Sequence, residues 1–267
     1  MTSLRSSLLA LLTGLLLAGL VPAPATGAAP GVVDREPEDC EERVPETYAL
    51  PVPGTSNIAI DTTILLDGVA RPEAEEIVER ANAAYADLAL EIVPTFRRFA
   101  VKPDSTQTDD EGQEVPGIEV TSLVAAAKDS LGGARPEGSD VVYVLTSKDV
   151  YLEDFDDGIL GWAECIGGVR YPNRAFAAGE MPTTFTTAGL NFYLDAAAKV
   201  LGHEIGHLLG AHHEYGNCVQ GIGTDDVTNR EPAACTLMFG YVDFQSLDFG
   251  ALDGAVIRGH AEDYAAL

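Results

Sequence analysis

Ile58 to Leu66 reads Ile-Ala-Ile-Asp-Thr-Thr-Ile-Leu-Leu and closes on Asp67-Gly68, so a β-branched, apolar run ends in a turn signal and predicts a first strand. From Pro72 to Leu88 the periodicity changes. Ile77, Val78, Ala81, Tyr85 and Leu88 recur at helical spacing, with Pro72 and early glutamates suited to the N-terminal turn. Leu90 to Val101 returns to strand character. Lys102 to Gly117 is acidic and turn-rich and predicts a surface loop, followed by a short helix around Leu123 to Leu131. Val141-Val142-Tyr143-Val144-Leu145 is apolar throughout, as a strand covered on both faces would be. A long helix is predicted from Leu190 to Leu209, with Leu201, Ile205 and Leu208 on the face that packs on the sheet. Strands alternating with helices imply a partly parallel, twisted sheet in the α/β (α+β) class.

The first residues have a different pattern. Arg5 precedes the apolar run Leu8 to Val21, and Pro22-Ala23-Pro24-Ala25-Thr26-Gly27-Ala28 supplies small residues for cleavage, the three-part form of a secretory signal. The run is short for a membrane span, and no anchor is expected. The organisation read from the sequence is therefore a signal peptide at 1–28, an extended Pro- and acid-rich leader at 29–55, and one folded domain at 56–267. A secreted, monomeric protein is expected. The formal charge of −26 argues against nucleic-acid or anionic-membrane partners. Four cysteines in an exported chain suggest two disulfides.

Chemistry concentrates in His203-Glu204-Ile205-Gly206-His207-Leu208-Leu209-Gly210-Ala211-His212-His213. On a helix His203 and His207 project from one face, where two imidazoles can hold Zn²⁺ at about 2.0–2.1 Å each. Glu204 lies beside them, placed to act on a metal-bound water. Gly210 suits the left-handed turn that ends a helix and lets the chain deliver His213 as the third ligand. Three protein ligands leave one position open for water, as in catalytic zinc sites. His212 breaks the spacing and reads as a cleft-wall residue.

This motif, with Cys235-Thr236-Leu237-Met238-Phe239-Gly240 downstream, resembles the metzincin metallopeptidases, in which a Met-turn sets a methionine (here Met238) beneath the zinc site. Leu-Gly-Ala-His-His-Glu, the cysteines at 218 and 235, and Ile257-Arg258-Gly259-His260 bring the chain closest to the adamalysin or reprolysin group, of secreted bacterial type. The resemblance implies a twisted mixed sheet with packed helices, a zinc helix, an N-terminal subdomain at 56–213 and a small C-terminal one at 214–267. It implies a zinc-dependent endopeptidase with Glu204 as general base and a polypeptide substrate. Gly161-Trp162-Ala163 falls where the family's cleft-rim strand pairs with extended substrate. Asp61 and Asp140 match two acidic calcium-ligand positions of adamalysins, which makes Ca²⁺ an expected second ion. The chain departs from the pattern at Glu214, where adamalysins usually carry Asp, and in having no C-terminal cysteine to pair with Cys165. A zinc hydrolase of a non-peptide amide and a non-catalytic zinc-bearing binding module are the alternative functions.

In the same frame Cys218 pairs with Cys235 and ties the segment after His213 to the Met-turn. Two roles then compete for Cys40. A free thiolate could bind the zinc and hold the enzyme latent; a disulfide to Cys165 would instead pin the leader against the rim strand. Asp39, Glu41 and Glu42 disfavour a thiolate, and Cys165 is the remaining partner, so Cys40–Cys165 is the expected pair.

Overall fold

β1 (Ile58–Asp67) lies between β2 (Leu90–Phe99) and β5 (Val141–Thr146) and is parallel to both, from Ile58↔Leu90 to Asp67↔Phe99 and from Thr62↔Val141 to Asp67↔Thr146. In this computed structural model residues 37–40, 56–108, 114–153, 159–181, 190–213, 235–240 and 246–265 are described. The remaining strands are β3 (Ser105–Thr108), β4 (Glu114–Glu119), β6 (Asp149–Tyr151), β7 (Gly161–Ala163) and β8 (Phe176–Glu180). The helices are α1 (Arg71–Ala86), α2 (Val120–Ser130), α3 (Leu190–Leu208) and α4 (Ala251–His260). The larger sheet runs β2-β1-β5-β8-β7, parallel except for β7, which pairs antiparallel to β8 and forms one edge.

The apolar run of β5 is buried because both faces of the sheet are covered. Val141, Tyr143 and Leu145 join the core beneath α1 and α3, whereas Val142 and Val144 join a second cluster with Leu123, Val124 and Ala127 of α2. Two-residue alternation thus serves two cores at once, which is why the sequence shows no polar contrast there. The α1 stripe buries Ala74, Ile77, Val78, Ala81 and Tyr85. At its start the Glu73 carboxylate accepts from the Ala70 amide at 3.3 Å, satisfying a donor no helix carbonyl can reach. On α3, Leu201, Ile205 and Leu208 are fully buried, as their spacing predicts.

Three differences from the sequence reading have physical causes. Lys102 to Gly117 is not a plain loop: β3 and β4 pair antiparallel within it, and β4 runs parallel to β6 in a second, three-stranded sheet. Ser-Thr-Gln-Thr has period-2 exposure but no apolar face, so the hydrophobic pattern cannot reveal it. The second helix starts at Val120 because the Glu119 carboxylate caps it, accepting from Ser122 N at 2.7 Å. β8 is entirely buried yet reads Phe-Ala-Ala-Gly-Glu, in which only Phe176 favours a strand.

α4, also unanticipated, is fastened by Arg258, which is 2% exposed and donates to the carbonyls of Leu88, Ala89 and Ser56 at 2.7–3.2 Å. The expected subdomain boundary at 214 falls outside the described residues. No helix among the described residues is long and apolar enough to cross a membrane.

Candidate metal centre

The site is assembled by the last two turns of α3 and the bend after it. His203 and His207 lie one turn apart on α3 and are fully buried. Gly210 takes φ +93, and a side chain there would also run into the His260 ring, so glycine is needed for both conformation and space. The chain turns at this point and brings His213 back. His203 Nε2 lies 2.9 Å from His213 Nε2 and 3.0 Å from His207 Nε2. Among the described residues these three histidines are the one group of three ligand-type side chains whose ligand atoms gather within 4.8 Å.

The hydrogen bonds behind the rings decide what that convergence means. His203 Nδ1 is 2.7 Å from the Leu237 carbonyl, and His207 Nδ1 is 2.8 Å from the Ala211 carbonyl. A carbonyl oxygen only accepts, so each Nδ1 carries the proton and donates, leaving each Nε2 as a lone pair. Burial also keeps both rings neutral: His203 is lowered to about 4, and His207 falls well below its ordinary value through burial and then the neighbouring His203 and His213. Lone pairs on adjacent buried nitrogens facing one another are unfavourable without a cation between them. The donor set, two neutral imidazoles with oriented Nδ1–H groups and a third imidazole nitrogen from His213 brought against them, fits zinc.

Glu204 sits beside the triad with no exposed surface. Burial raises its carboxyl well above the usual range, and the nearby Ala163 backbone N–H opposes that rise. Neither carboxylate oxygen completes a hydrogen bond among the described residues. Such an orphan is costly unless it awaits a water or substrate group.

β7 lies directly over it. A Cβ at Gly161 would overlap the Glu204 carboxylate and come 2.7 Å from Val200 Cγ1, so the rim approaches the acid closely only as glycine. Trp162 is half-buried against the α2-side cluster, and Ala163 is buried. Gly161, Trp162 and Ala163 therefore stand at the sheet edge beside Glu204.

Met238 is fully buried below α3: a Cβ at Gly206, between the two helix histidines, would come 2.8 Å from its sulfur. The turn that holds it is closed by Phe239 N donating to Thr236 O at 3.1 Å. Cys40 is joined to Cys165 with Cα atoms 5.2 Å apart, so the disulfide and not the free thiol is what the structure contains. Cys235 is also disulfide-bonded. Cys218, its expected partner, and Glu214 lie outside the described residues.

The calcium expectation finds no support. Asp61 N donates to the Asp140 carboxylate at 2.8 Å and Asp140 N donates to the Asp61 carbonyl at 2.6 Å, so the two residues tie β1 to the start of β5, and among the described residues no third ligand side chain joins them. Sequence reasoning missed the orienting carbonyls of Leu237 and Ala211, because backbone groups have no residue identity to read. It also missed the partner of His212, whose Nε2 lies 3.1 Å from Asp39 of the leader.

A helix carrying two histidines, a third returned by a glycine bend, and an acid under a sheet edge define a zinc-peptidase type of centre. The chain belongs to the M12B reprolysin-like metallopeptidase family, whose family model matches residues 73–214. Among solved structures it is similar to archaemetzincin from Methanopyrus kandleri, at 22% identity and a TM-score of 0.49, covering 79% of this chain and 99% of that one. It is also similar to a zinc-dependent peptidase from Methanocorpusculum labreanum, at 15% identity and a TM-score of 0.48, covering 73% and 99%. No curated protein matches it.

Proposed function

We propose that this zinc metallopeptidase is a secreted metzincin endopeptidase of the adamalysin-like group, hydrolysing peptide bonds in polypeptides with Glu204 as general base and His203, His207 and His213 as metal ligands. One observation carries the reading: three imidazole nitrogens converge beside a buried carboxylate that completes no hydrogen bond among the described residues. Bound zinc supplies Lewis acidity to a water and to the scissile carbonyl.

The protein's own groups supply the rest. Glu204 takes the proton of the attacking water and then delivers it to the departing amine, so the carboxylate is regenerated and no serine or cysteine nucleophile is required. Its buried setting favours the protonated state needed in the second half of that cycle. The edge of β7 offers backbone groups for an extended substrate, which reads the main chain and leaves side chains to pockets. Leu237 and Ala211 hold the ligand tautomers through the cycle.

Export is supported by the signal-like first residues and by the disulfide, which persists in oxidising compartments. Cleavage of denatured casein by the purified chain, abolished by a zinc chelator and restored by added zinc, tests the function. Zinc-loaded protein that leaves casein and peptide libraries intact would refute the peptidase reading.

A further inference from the structure

The described part of the leader is bridged to the chain just past β7, next to the site. Asp39 forms a parallel bridge with Ile166. Ile166 N donates to Glu38 O at 3.0 Å, and Cys40 N donates to Ile166 O at 3.1 Å. Asp39 pairs with His212, the neighbour of the third ligand, at 3.1 Å. Pro37 is buried, and the disulfide to the fully buried Cys165 makes the attachment covalent across a sequence separation of 125.

These contacts lie just past β7. Glu204 faces Gly161 and Ala163, so the scissile bond of a substrate paired to β7 sits level with those residues. Ile166 comes three residues after Ala163, past bends at Glu164 and Cys165, and so within about 10 Å of it, the reach of three fully extended residues. Beyond that point the backbone groups of Ile166 are already used by Glu38 and Cys40.

We propose that Pro37–Cys40 is a fixed wall of the substrate cleft, which ends the pairing edge about three residues from the reaction centre and so sets how much of a polypeptide can be recognised on that side. The inference rests on the reading of β7 as the substrate-pairing strand. Antiparallel addition is the more stable ladder per residue. An antiparallel guest on β7 runs its N-terminal half toward Ile166, so the limit falls on residues N-terminal to the scissile bond. A substrate could displace a loosely held leader, but the disulfide keeps the displaced segment at a high local concentration and restores it.

The test is a ladder of peptides sharing one scissile bond, with one to seven residues on its N-terminal side, assayed with the intact zinc-loaded protein. While added residues pair with the edge, kcat/KM should rise roughly fivefold per residue. It should stop rising after about three residues. In the variant Cys40→Ala, Cys165→Ala, Asp39→Ala, which releases the leader, the gain should resume at the fourth to sixth residue. If the intact protein keeps gaining through the sixth residue, or gains identically to the released variant, the wall is wrong while the peptidase reading stands. Should the variant fail to fold, the ladder on the intact protein decides alone: a plateau supports the wall and continued gain overturns it. Zinc-loaded protein that cleaves no member of the ladder would overturn the peptidase reading and the wall with it.

Discussion

The Nδ1–H of His203 donates to the carbonyl of Leu237 at 2.7 Å, so the residue preceding Met238 fixes the tautomer of the first histidine of the triad. The turn at Met238 therefore does more than fill space beneath α3: its backbone orients a histidine while its methionine packs against the same helix. Stability and metal binding should fail together when that turn is loosened.

Met238→Ala tests this. Met238 is fully buried, and truncating a buried methionine costs about 2–5 kcal/mol through lost transfer energy and the cavity left behind. Chemical denaturation should show that loss, and zinc titration should show weaker binding from a less firmly held His203. A variant destabilised by less than about 1 kcal/mol with unchanged zinc affinity would show that the turn does not support the centre.

Gly161→Ala should reduce turnover. The added methyl overlaps the Glu204 carboxylate and crowds Val200, so either the rim strand or the acid must move. Overpacking of this kind costs roughly 1–3 kcal/mol. Steady-state kinetics together with thermal melting would check it, and wild-type kcat with wild-type stability would contradict the close approach.

The metal-free protein should lose stability on acidification in a defined window. Burial puts His203 at about 4 in the folded chain against an ordinary 6.5, so between those values the unfolded chain binds more protons. The contribution is fully present above pH 6.5 and is lost as the pH falls toward 4. Relative to His203→Asn, metal-free wild type should lose roughly 2–3 kcal/mol more between pH 7 and pH 4.5. Parallel pH dependence in the two proteins would contradict the buried neutral imidazole.

The parts of the fold legible in the sequence are those where a period meets a buried face. The Ile58 run, the Tyr85 stripe of α1 and the Leu201, Ile205, Leu208 face of α3 all show that contrast. Ser105–Thr108 does not, because a strand with two polar faces has no apolar signal to read, and the small residues of β8 hide a fully buried strand. At the site, His203, Glu204, His207, Gly210 and His213 are legible as residue types at fixed spacing. The carbonyls of Leu237 and Ala211 are not, since any residue supplies one. The Cys40–Cys165 pair follows from the resemblance, which takes Cys218 to Cys235, together with the acids beside Cys40, but the accompanying Asp39–His212 contact depends on where the leader docks, which no local pattern encodes.

Glu204→Ala tests the central claim most directly, because Glu204 is beside the ligands without being one of them. The account predicts that the purified variant binds zinc as wild type does, melts as a folded protein, and loses about 10²–10⁴-fold in kcat on a peptide substrate. A zinc-loaded variant retaining more than about a tenth of wild-type kcat would contradict it.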